Sequence, residues 1–502
     1  MEWEEMNGLI LYPHSFVETG DSTFFLGRDE RTGKKWLGVR GDASGFAGTV
    51  QAVGDTWLCP LSATNASVLR ERLPWLRPVP LGLQKSFGFG DRLGLATPGH
   101  VRAVRGTGIA PIFAQQSVRE NTRTGRTPQQ VLDEAMWGVF QEGWQQPWGA
   151  DADHVKNAPD FDPFIAAGYT LFTIDPGDHV DNNVPGASVG EIAAKLQTLP
   201  WDILEDTLQD MERRYLGRSF ILPGTALVFD RETLWRAAAK YGQAISHTVQ
   251  MYRYLVDGIR RRVLTPEDGQ AQGSGEGFEL EVSVDETETP TSPAEHFFIA
   301  SELRRLGVRW VSLAPRFVGR FEKGVDYIGD PGAFEAELKQ HVAVAQVLGP
   351  YKISLHSGSD KLSVYPILAR CAGDWIHVKT AGTSYLEALR AIAGIAPALF
   401  REILLFARER YATDKATYHV SADVNRVPTG DQWSDAELAT VLDLFDGRQV
   451  LHVTFGSVLT ERNADGTFRF RDRLLEALRN NEEKYFAVLQ AHFAEHLAPF
   501  AK

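Results

Sequence analysis

The chain has few of the features that mark secreted or membrane-bound proteins. Its 502 residues include two cysteines, Cys59 and Cys371, too few for a disulfide framework or a cysteine-rich zinc or iron–sulfur site. No apolar run approaches the roughly 18 residues of a transmembrane helix. The first residues, MEWEEMNGLI, are acidic where a secretory signal is basic. We therefore expect a soluble, cytoplasmic protein with no membrane partner.

Basic residues are also in short supply. Lys and Arg total 52 against 65 Asp and Glu, a formal net charge of −13, which argues against nonspecific binding to nucleic acids. The chain has no P-loop, HExxH, GxSxG or CxxC motif, and GFGDRLG (88–94) lacks the spacing of a dinucleotide fingerprint. At 43% hydrophobic and 11% aromatic residues, the chain can bury a large core. These features favour a globular protein that binds a small molecule.

Short β-rich runs alternate with long helical patterns from about residue 108 onward. Ser292 and Thr127 each precede a proline that opens a helix. Eight β-then-α units predict a closed, TIM-like (β/α)8 barrel rather than an open sheet. The eight predicted strands are IAPIFAQQ (109–116), YTLFTID (169–175), FELEVSVD (278–285), VRWVSLA (308–314), YKISLH (351–356), WIHVKT (375–380), YHVSAD (418–423) and LHVTFG (451–456).

The same pattern divides the chain into two regions. Residues 1–105 are rich in Gly, Trp and short alternating runs, which indicates a β-rich N-terminal extension packed on the barrel. Residues 106–502 form the barrel, with a helical insert at about 187–265. The stretch PEDGQAQGSGEG (266–277) has the composition of a mobile surface loop.

Several predicted strands alternate between apolar and ionisable side chains. Because alternate residues of a strand face opposite sides, the apolar set should meet the helices and the polar set should face the barrel axis. A barrel built only for stability fills its interior with branched apolar side chains, and burying unpaired charges is costly. The pattern therefore favours a metal and acid/base site. The inward set is Asp175, Glu279, Glu281, Ser283, Asp285, His356, His377, Lys379, His419, Asp423 and His452.

Some single residues carry their own signals. His356 ends a strand before SGSDK (357–361), at the barrel mouth where such enzymes keep their chemistry. Asp175 and His179 follow another strand, although an Asp-capped Pro-Gly turn explains them equally well. His452 could serve the site, but a structural histidine in the core explains it equally well. His154, Lys156 and His100 fit surface positions as well as a site.

Several motifs together resemble the tagaturonate epimerase family, and HSGSDK with HVKTAGTSYLEALR is quite specific. The resemblance runs from about residue 80 to the C-terminus. It implies a divalent-metal-dependent epimerase that interconverts tagaturonate and fructuronate, with some members also epimerising tagatose and fructose at C4. The motifs are LQKSFGFGDRLGLATPGH (83–100), APIFAQQSVRENTRTGRTP (110–128), DADHVK (151–156), TIDPGDHV (173–180), YKISLHSGSDKLSVYP (351–366), HVKTAGTSYLEALR (377–390) and FGSVLT (455–460).

Inversion at C4, counted from the keto end, sets chemical demands on the site. That carbon is β to the ketone, so its C–H is not acidified by enolisation, and retro-aldol cleavage of the C3–C4 bond is one solution. It needs a Lewis-acid metal, acid/base groups on both faces, and cations for the carboxylate. We assign the metal to His179, His356 and His452, and acid/base catalysis to Asp175 and Glu281. We assign binding of the substrate carboxylate to Lys85, Arg119, Lys352 and Lys379.

Three questions stay open at this point. Three histidines suit Zn²⁺, whereas Glu281 in the coordination shell would suit Mn²⁺, and Ni²⁺ is a further candidate. Lys379 is an alternative Schiff-base residue. The competing functions are an aldose–ketose isomerase on the same barrel and a non-catalytic carbohydrate-binding protein.

Overall fold

Eight parallel strands form the centre of the molecule. The structure is a computed structural model that describes residues 8–47, 51–53, 56–263 and 277–501. We label the barrel strands β1 (Ser86–Gly90), β2 (Ala110–Ser117), β3 (Gly149–Val155), β4 (Leu171–Ile174), β5 (Glu279–Ser283), β6 (Ser312–Ala314), β7 (Lys352–Leu355) and β8 (Ile376–Thr380).

The strands pair in chain order and close on themselves, with β8 beside β1. Thr173 on β4 stands beside Glu281 on β5, which in turn stands beside Ser312 on β6. All these pairings are parallel, as expected when a helical connection returns the chain to the same end of the barrel each time. The predicted closed (β/α)8 barrel is confirmed.

Two of the eight predicted strands were wrong. Residues 418–423 form no regular strand. Residues 451–453 end the helix Phe445–Val453, and residues 455–456 begin the helix Phe455–Thr460. The helix Phe445–Val453 is buried on every side from Gly447 onward, so its apolar residues show no clear period that separates helix from strand. The inward orientation predicted for His419, Asp423 and His452 depended on these two strands, which are not formed in the structure.

Two strands that the sequence did not predict, β1 and β3, complete the eight strands of the barrel. The sequence of β1, SFGFG, resembles a loop because glycine is rare in strands, and β3, GADADHV, is rich in Asp and Gly for the same reason. The barrel therefore begins at Ser86, inside the stretch that we assigned to the N-terminal extension.

The β-rich part of the N-terminal region is an antiparallel sheet that precedes the barrel. Its side chains reach the C-terminal helices: Tyr12 donates a hydrogen bond to Glu482, with its Oη 2.8 Å from Oε2. The six strands are Leu9–Leu11, Val17–Thr19, Ser22–Asp29, Lys35–Arg40, Gln51–Val53 and Thr56–Pro60.

Helices surround the barrel, and several begin with the caps that the sequence indicated. Ser292 and Thr127 each accept a hydrogen bond from the third helical amide of a capping box. The α-helices are Ala63–Arg72, Thr97–Val104, Val118–Thr124, Pro128–Gln141, Asp162–Ala167, Val189–Gln197, Leu208–Tyr215, Arg231–Val263, Pro293–Arg305, Pro331–Leu348, Tyr365–Ala372, Thr383–Ile395, Pro397–Asp414, Phe445–Val453, Phe455–Thr460, Arg471–Asn480 and Glu482–Leu497.

The connection between β4 and β5 is mainly helical, as predicted, and ends in the long helix Arg231–Val263. It also contains a small hairpin of strands Ser219–Leu222 and Thr225–Val228. The predicted mobile stretch, 266–277, lies almost wholly outside the described residues. Among the helices that are described, none is both long and apolar enough to cross a membrane.

Candidate active site

A network of buried charges fills the barrel interior. The ammonium of Lys379 on β8 lies 2.7 Å from Asp151 and 2.8 Å from Asp153, both on β3, and 2.7 Å from Glu281 on β5. Burial opposes the positive charge of Lys379, but the three carboxylates outweigh it and raise its pKa well above the ordinary value. Its charge is thus already balanced within the protein.

Glu281 links this network to His356, the residue that follows β7. Its Oε1 lies 2.5 Å from His356 Nε2, and its Oε2 accepts a hydrogen bond from Ser312 at 2.5 Å. Both side chains are buried, and both point toward the barrel axis rather than toward the helices. The alternation of side chains predicted for β5 and β7 is therefore correct at these positions.

His154 reaches the same place because β3 is irregular at its end. The residue has a φ of +50°, and the pairing of β3 with β4 shifts register there. Such a bulge redirects side chains, so Asp153 and His154 both line the cavity at the mouth of the barrel. The Nδ1 of His154 lies 3.0 Å from Asp175 Oδ2, just after β4.

Each histidine turns toward the other the ring nitrogen that does not contact Asp175 or Glu281. His154 Nε2 lies 3.1 Å from His356 Nδ1, and Asp285 Oδ1 lies 3.3 Å from that same Nδ1. Asp153 Oδ1 lies 3.7 Å from His154 Nε2. The ligand atoms of Asp153, His154 and His356 all fall within 4.8 Å of one another, a compact set of nitrogen and oxygen donors suited to a divalent cation.

Negative charge dominates the surroundings of both rings. Burial opposes protonation of His154, but Asp153, Glu286 and Asp175 outweigh it and raise the His154 pKa to about 10. Burial and Lys379 oppose protonation of His356, but Asp285 and Glu281 together outweigh them and raise the His356 pKa. The site therefore stabilises positive charge at this point, which a bound cation would supply.

A narrow cavity opens above the histidines. Gln115 on β2 lines it, and neither amide atom of that buried side chain has a hydrogen-bond partner among the described residues. An unpaired buried amide indicates a polar ligand such as a sugar hydroxyl. The lining residues are Arg92, Gln115, Ser117, Arg119, Glu120, Asp153, His154, Lys323, His356, Ser357, Ser359, Lys379, Ala381, Gly382, Tyr418 and His452.

Four of the predicted site residues come together here. His356, Glu281, Asp175 and Lys379 form one continuous set of contacts through His154. Asp175 and Glu281 do not themselves line the cavity. Arg119 does, but it pairs with Glu286 at 3.1 Å.

Two predicted carboxylate-binding lysines lie at the opposite end of the barrel. Lys352 begins β7, and its ammonium donates to Ser86 Oγ at 2.9 Å. Burial lowers the pKa of Lys352 to about 8. Lys85 precedes β1 and pairs with Asp374, just before β8, at 3.1 Å. Side chains at the N-terminal ends of the strands are far from the mouth, so the structure does not bring either lysine to the cavity.

Two predicted metal-binding histidines are separated from the convergent pair. His179 is exposed on the turn after β4, where its ring stacks on that of His247 at 4.0 Å between centroids. His452 lies on a helix and lines the cavity, but it joins none of the described groups that could hold a metal. Burial lowers the pKa of His452, and Arg92 and Lys323 lower it further.

Three acids and a histidine were missed as site residues in the sequence. Asp151 and Asp153 alternate in DADHV, which could have indicated a strand with an acidic inner face. Asp285 extends the inward row of β5 but was given no role. His154 carried no such signal, because its place depends on a bulge that the sequence does not reveal.

Comparison with known proteins identifies the family. A sequence profile of the tagaturonate epimerase family matches residues 12–500. The tagaturonate/fructuronate epimerase of Thermotoga maritima is 43% identical over 497 residues, covering 98% of this chain and 96% of that protein. The glycerol-bound crystal structure of the fructuronate-tagaturonate epimerase from Cohnella laeviribosi matches with a TM-score of 0.89 and 38% identity, covering 98% of this chain and 96% of that one.

A native structure of the Cohnella laeviribosi enzyme matches equally well, with a TM-score of 0.89. These similarities span both the β-rich N-terminal region and the whole barrel. The chain therefore belongs to the tagaturonate epimerase family and is an epimerase.

Proposed function

We propose that this enzyme interconverts tagaturonate and fructuronate by inverting C4, counted from the keto end, at a divalent-metal site on the barrel mouth. The observation that carries the proposal is the pair His154 and His356, whose facing nitrogens lie 3.1 Å apart beneath the cavity. The names of the relatives supply the substrate pair.

The reaction that fits this site is cleavage and re-formation of the C3–C4 bond. The C4 hydroxyl gives its proton to a basic group at the cavity, C4 becomes an aldehyde, and the electron pair of the C3–C4 bond forms the enediolate of the fragment that carries the ketone. The aldehyde then turns its other face to C3, the bond forms again, and the new C4 hydroxyl takes up a proton. Atoms and electrons balance without an oxidant.

His154 Nε2 and His356 Nδ1 would hold the metal, with Asp153 and Asp285 as the nearest oxygen donors. A bound divalent cation acts as a Lewis acid that stabilises negative charge developing on the ketone oxygen. The mixed nitrogen and oxygen donors suit Zn²⁺, Mn²⁺ and Ni²⁺, which are the cations to test.

Asp175 and Glu281 take a different role from the acid/base catalysis expected from the sequence. Each contacts the outer nitrogen of one histidine, at 3.0 Å for His154 and 2.5 Å for His356, and neither lines the cavity. Carboxylates placed in this way fix the orientation and tautomer of a metal-binding imidazole. We therefore assign them to positioning the two ligands.

The test of this proposal follows the hydrogen on C4. Tagaturonate labelled with deuterium at C4 is incubated with enzyme and added Zn²⁺, Mn²⁺ or Ni²⁺, and the product is analysed by NMR. We expect fructuronate that retains the label, because the C4–H bond is never broken. Loss of the label would overturn the retro-aldol route, and formation of an aldose would favour the isomerase instead.

The same experiment also compares the rates of epimerisation of neutral ketoses with those of the uronates. We expect tagatose and fructose to be inverted at C4 more slowly than the uronates, because they offer the site no carboxylate. Equal rates for tagatose and tagaturonate would show that the enzyme does not select for the acid group.

A further inference from the structure

Most cations around the cavity are already paired with acids. Arg92 donates two hydrogen bonds to Glu120, at 2.9 and 2.7 Å, and Arg119 pairs with Glu286 at 3.1 Å. Lys379 is held by the three carboxylates of the barrel interior. Arg119 and Lys379 therefore have no charge to offer an anionic substrate without losing a partner. Arg92 keeps its Nη1 without a hydrogen-bond partner among the described residues, but Glu120 already balances its charge.

Lys323 differs from them. It follows β6 on the loop that leads toward the helix Pro331–Leu348, it is half-buried, and it lines the cavity. Its ammonium donates to Ser357 Oγ at 2.7 Å, and it forms no ion pair with any residue that the structure describes. An ammonium has three N–H donors, so two are available to a ligand.

A second lysine fixes the backbone on both sides of Lys323. The buried ammonium of Lys361 donates to the carbonyl oxygens of Glu322, at 2.8 Å, and of Val325. It also donates to the carbonyl of Ser359 at 2.9 Å, within its own loop. Lys361 therefore fastens the loop of Lys323 to the loop that follows β7.

The loop after β7 is held in place by contacts with the C-terminal helices. Buried Asp360 lies 2.8 Å from Arg448 and 2.8 Å from His492, and its amide donates to His496 Nε2 at 2.9 Å. Arg448 pairs with one carboxylate oxygen of Asp360 and His492 with the other, so this ion cluster holds the loop in place. It keeps Ser357, and with it the Lys323 ammonium, in a fixed place at the cavity.

We infer that Lys323, with Ser357, binds the C6 carboxylate of the hexuronate and so selects acids over neutral ketoses. This inference rests on the proposed function. A charge-assisted hydrogen bond from an otherwise unpaired ammonium in a half-buried cavity is a strong interaction for a carboxylate. It replaces the contribution that the sequence led us to assign to Lys85 and Lys352.

The placement has a consequence for the reaction. Cleavage of the C3–C4 bond yields dihydroxyacetone from C1–C3 and 2-hydroxy-3-oxopropanoate from C4–C6, which carries the carboxylate. If C6 stays bound to Lys323, the aldehyde at C4 turns its other face by rotation about C4–C5 while the fragment stays in the cavity. Lys323 is then needed both for affinity and for retention of the fragment.

The experiment compares Lys323→Met with the exposed-lysine control Lys484→Met. Inhibition constants are measured for glycerate, which matches C4–C6 with its carboxylate, and for glycerol, which lacks it. We expect Lys323→Met to raise the Ki of glycerate and the KM of tagaturonate by about 10- to 100-fold, the range for losing a hydrogen bond to a charged group. The glycerol Ki should stay the same, and Lys484→Met should resemble the parent enzyme.

Released fragments supply a readout that simple loss of structure would not produce. During turnover of tagaturonate, Lys323→Met should leak dihydroxyacetone and an aldehyde that hydrazine traps, whereas Lys323→Arg should retain both. An unchanged glycerate Ki in a folded Lys323→Met or Lys323→Gln overturns the inference. A parent enzyme that does not epimerise tagaturonate overturns the proposed function instead.

Discussion

His154 Nε2 and His356 Nδ1 lie 3.1 Å apart, while the outer nitrogen of each ring contacts a buried carboxylate. If each ring donates its outer N–H to its carboxylate, both facing nitrogens present lone pairs. Two lone pairs at that distance repel each other unless a proton or a metal ion lies between them. Asp175 and Glu281 thus prepare the two rings to share one cation.

The first prediction concerns those two carboxylates. Glu281→Gln and Asp175→Asn should each weaken metal affinity by about 10- to 100-fold, the usual cost of losing such a partner. Activity should return when the metal concentration is raised, because the ligands themselves are intact. Metal titration monitored by turnover provides the measurement.

Acid/base catalysis predicts a different outcome for the same variants. Loss of a general acid or base lowers kcat by about 100-fold or more, and excess metal does not restore it. A variant that stays inactive with a full complement of metal would return that residue to the acid/base role.

The second prediction concerns Lys379. Lys379→Met leaves Asp151, Asp153 and Glu281 without their cation, and we expect the free energy of unfolding to fall by about 3–5 kcal/mol, as when one partner of a buried pair is removed. Denaturant unfolding beside the exposed control Lys484→Met measures the loss. An unchanged free energy of unfolding would contradict the charge network described for the barrel interior.

Lys379 should also fail as a Schiff-base residue. Its amine stays protonated because the three carboxylates raise its pKa well above the ordinary value. Borohydride added with tagaturonate should therefore leave the mass of the protein unchanged, and a covalent adduct at Lys379 would refute this account.

The third prediction concerns Gly88 and Gln115. A Cβ at Gly88 would lie 1.6 Å from the Oε1 of Gln115, so Gly88→Ala should displace that amide from the cavity. We expect Gly88→Ala and Gln115→Ala each to raise KM by about 2- to 10-fold, as for a neutral hydrogen bond. The double variant should add little beyond either one, because both remove the same contact.

Gly186→Ala is the matched control, since nothing lies within 4 Å of a Cβ placed there. Its KM should match that of the parent enzyme. Fully additive effects of Gly88→Ala and Gln115→Ala would mean that the glycine acts on the site by another route.

The fourth prediction is a pH dependence of stability. Burial opposes ionisation of Asp360, but Arg448 and His492 outweigh it and hold its pKa well below the ordinary value. Its stabilising effect is therefore complete above the unfolded-state pKa of about 4 and declines as the pH falls below it. At pH 7 we expect Asp360→Asn to lower the free energy of unfolding by about 3 kcal/mol or more.

Urea unfolding of both proteins at pH 7 and pH 3 measures the effect. The difference between parent and Asp360→Asn should shrink at the lower pH, because the Asp360 carboxyl of the unfolded chain then takes up a proton while that of the folded protein is still ionised. A difference that is the same at both pH values would show that Asp360 does not stabilise the protein through its charge.

The fold was predictable from sequence where local patterns agree with burial. Strands β5, β7 and β8 alternate apolar and ionisable residues because one face meets helices and the other a polar interior. The same reasoning failed for β1 and β3, whose glycines and aspartates serve the cavity and the charge network at the expense of strand propensity. Residues 451–456 were predicted as a strand but are mostly helical, because burial on nearly every side leaves no helical period in the sequence.

The site was predictable only in part, for a related reason. Glu281 and His356 follow from regular strand geometry, which a sequence reveals. His154 lines the cavity through a bulge with positive φ, and Lys323 reaches it from a loop held by Lys361. Those placements depend on long-range contacts that no local pattern records.

One measurement tests the central claim most directly, namely the metal content and activity of the enzyme after chelation and reconstitution. We expect metal-free protein to lose epimerisation of tagaturonate and to regain it on binding one divalent cation per chain. His154→Ala and His356→Ala should each bind metal poorly and lose activity, whereas Lys484→Met should behave as the parent. A metal-free parent enzyme that inverts C4 at the full rate would contradict the account.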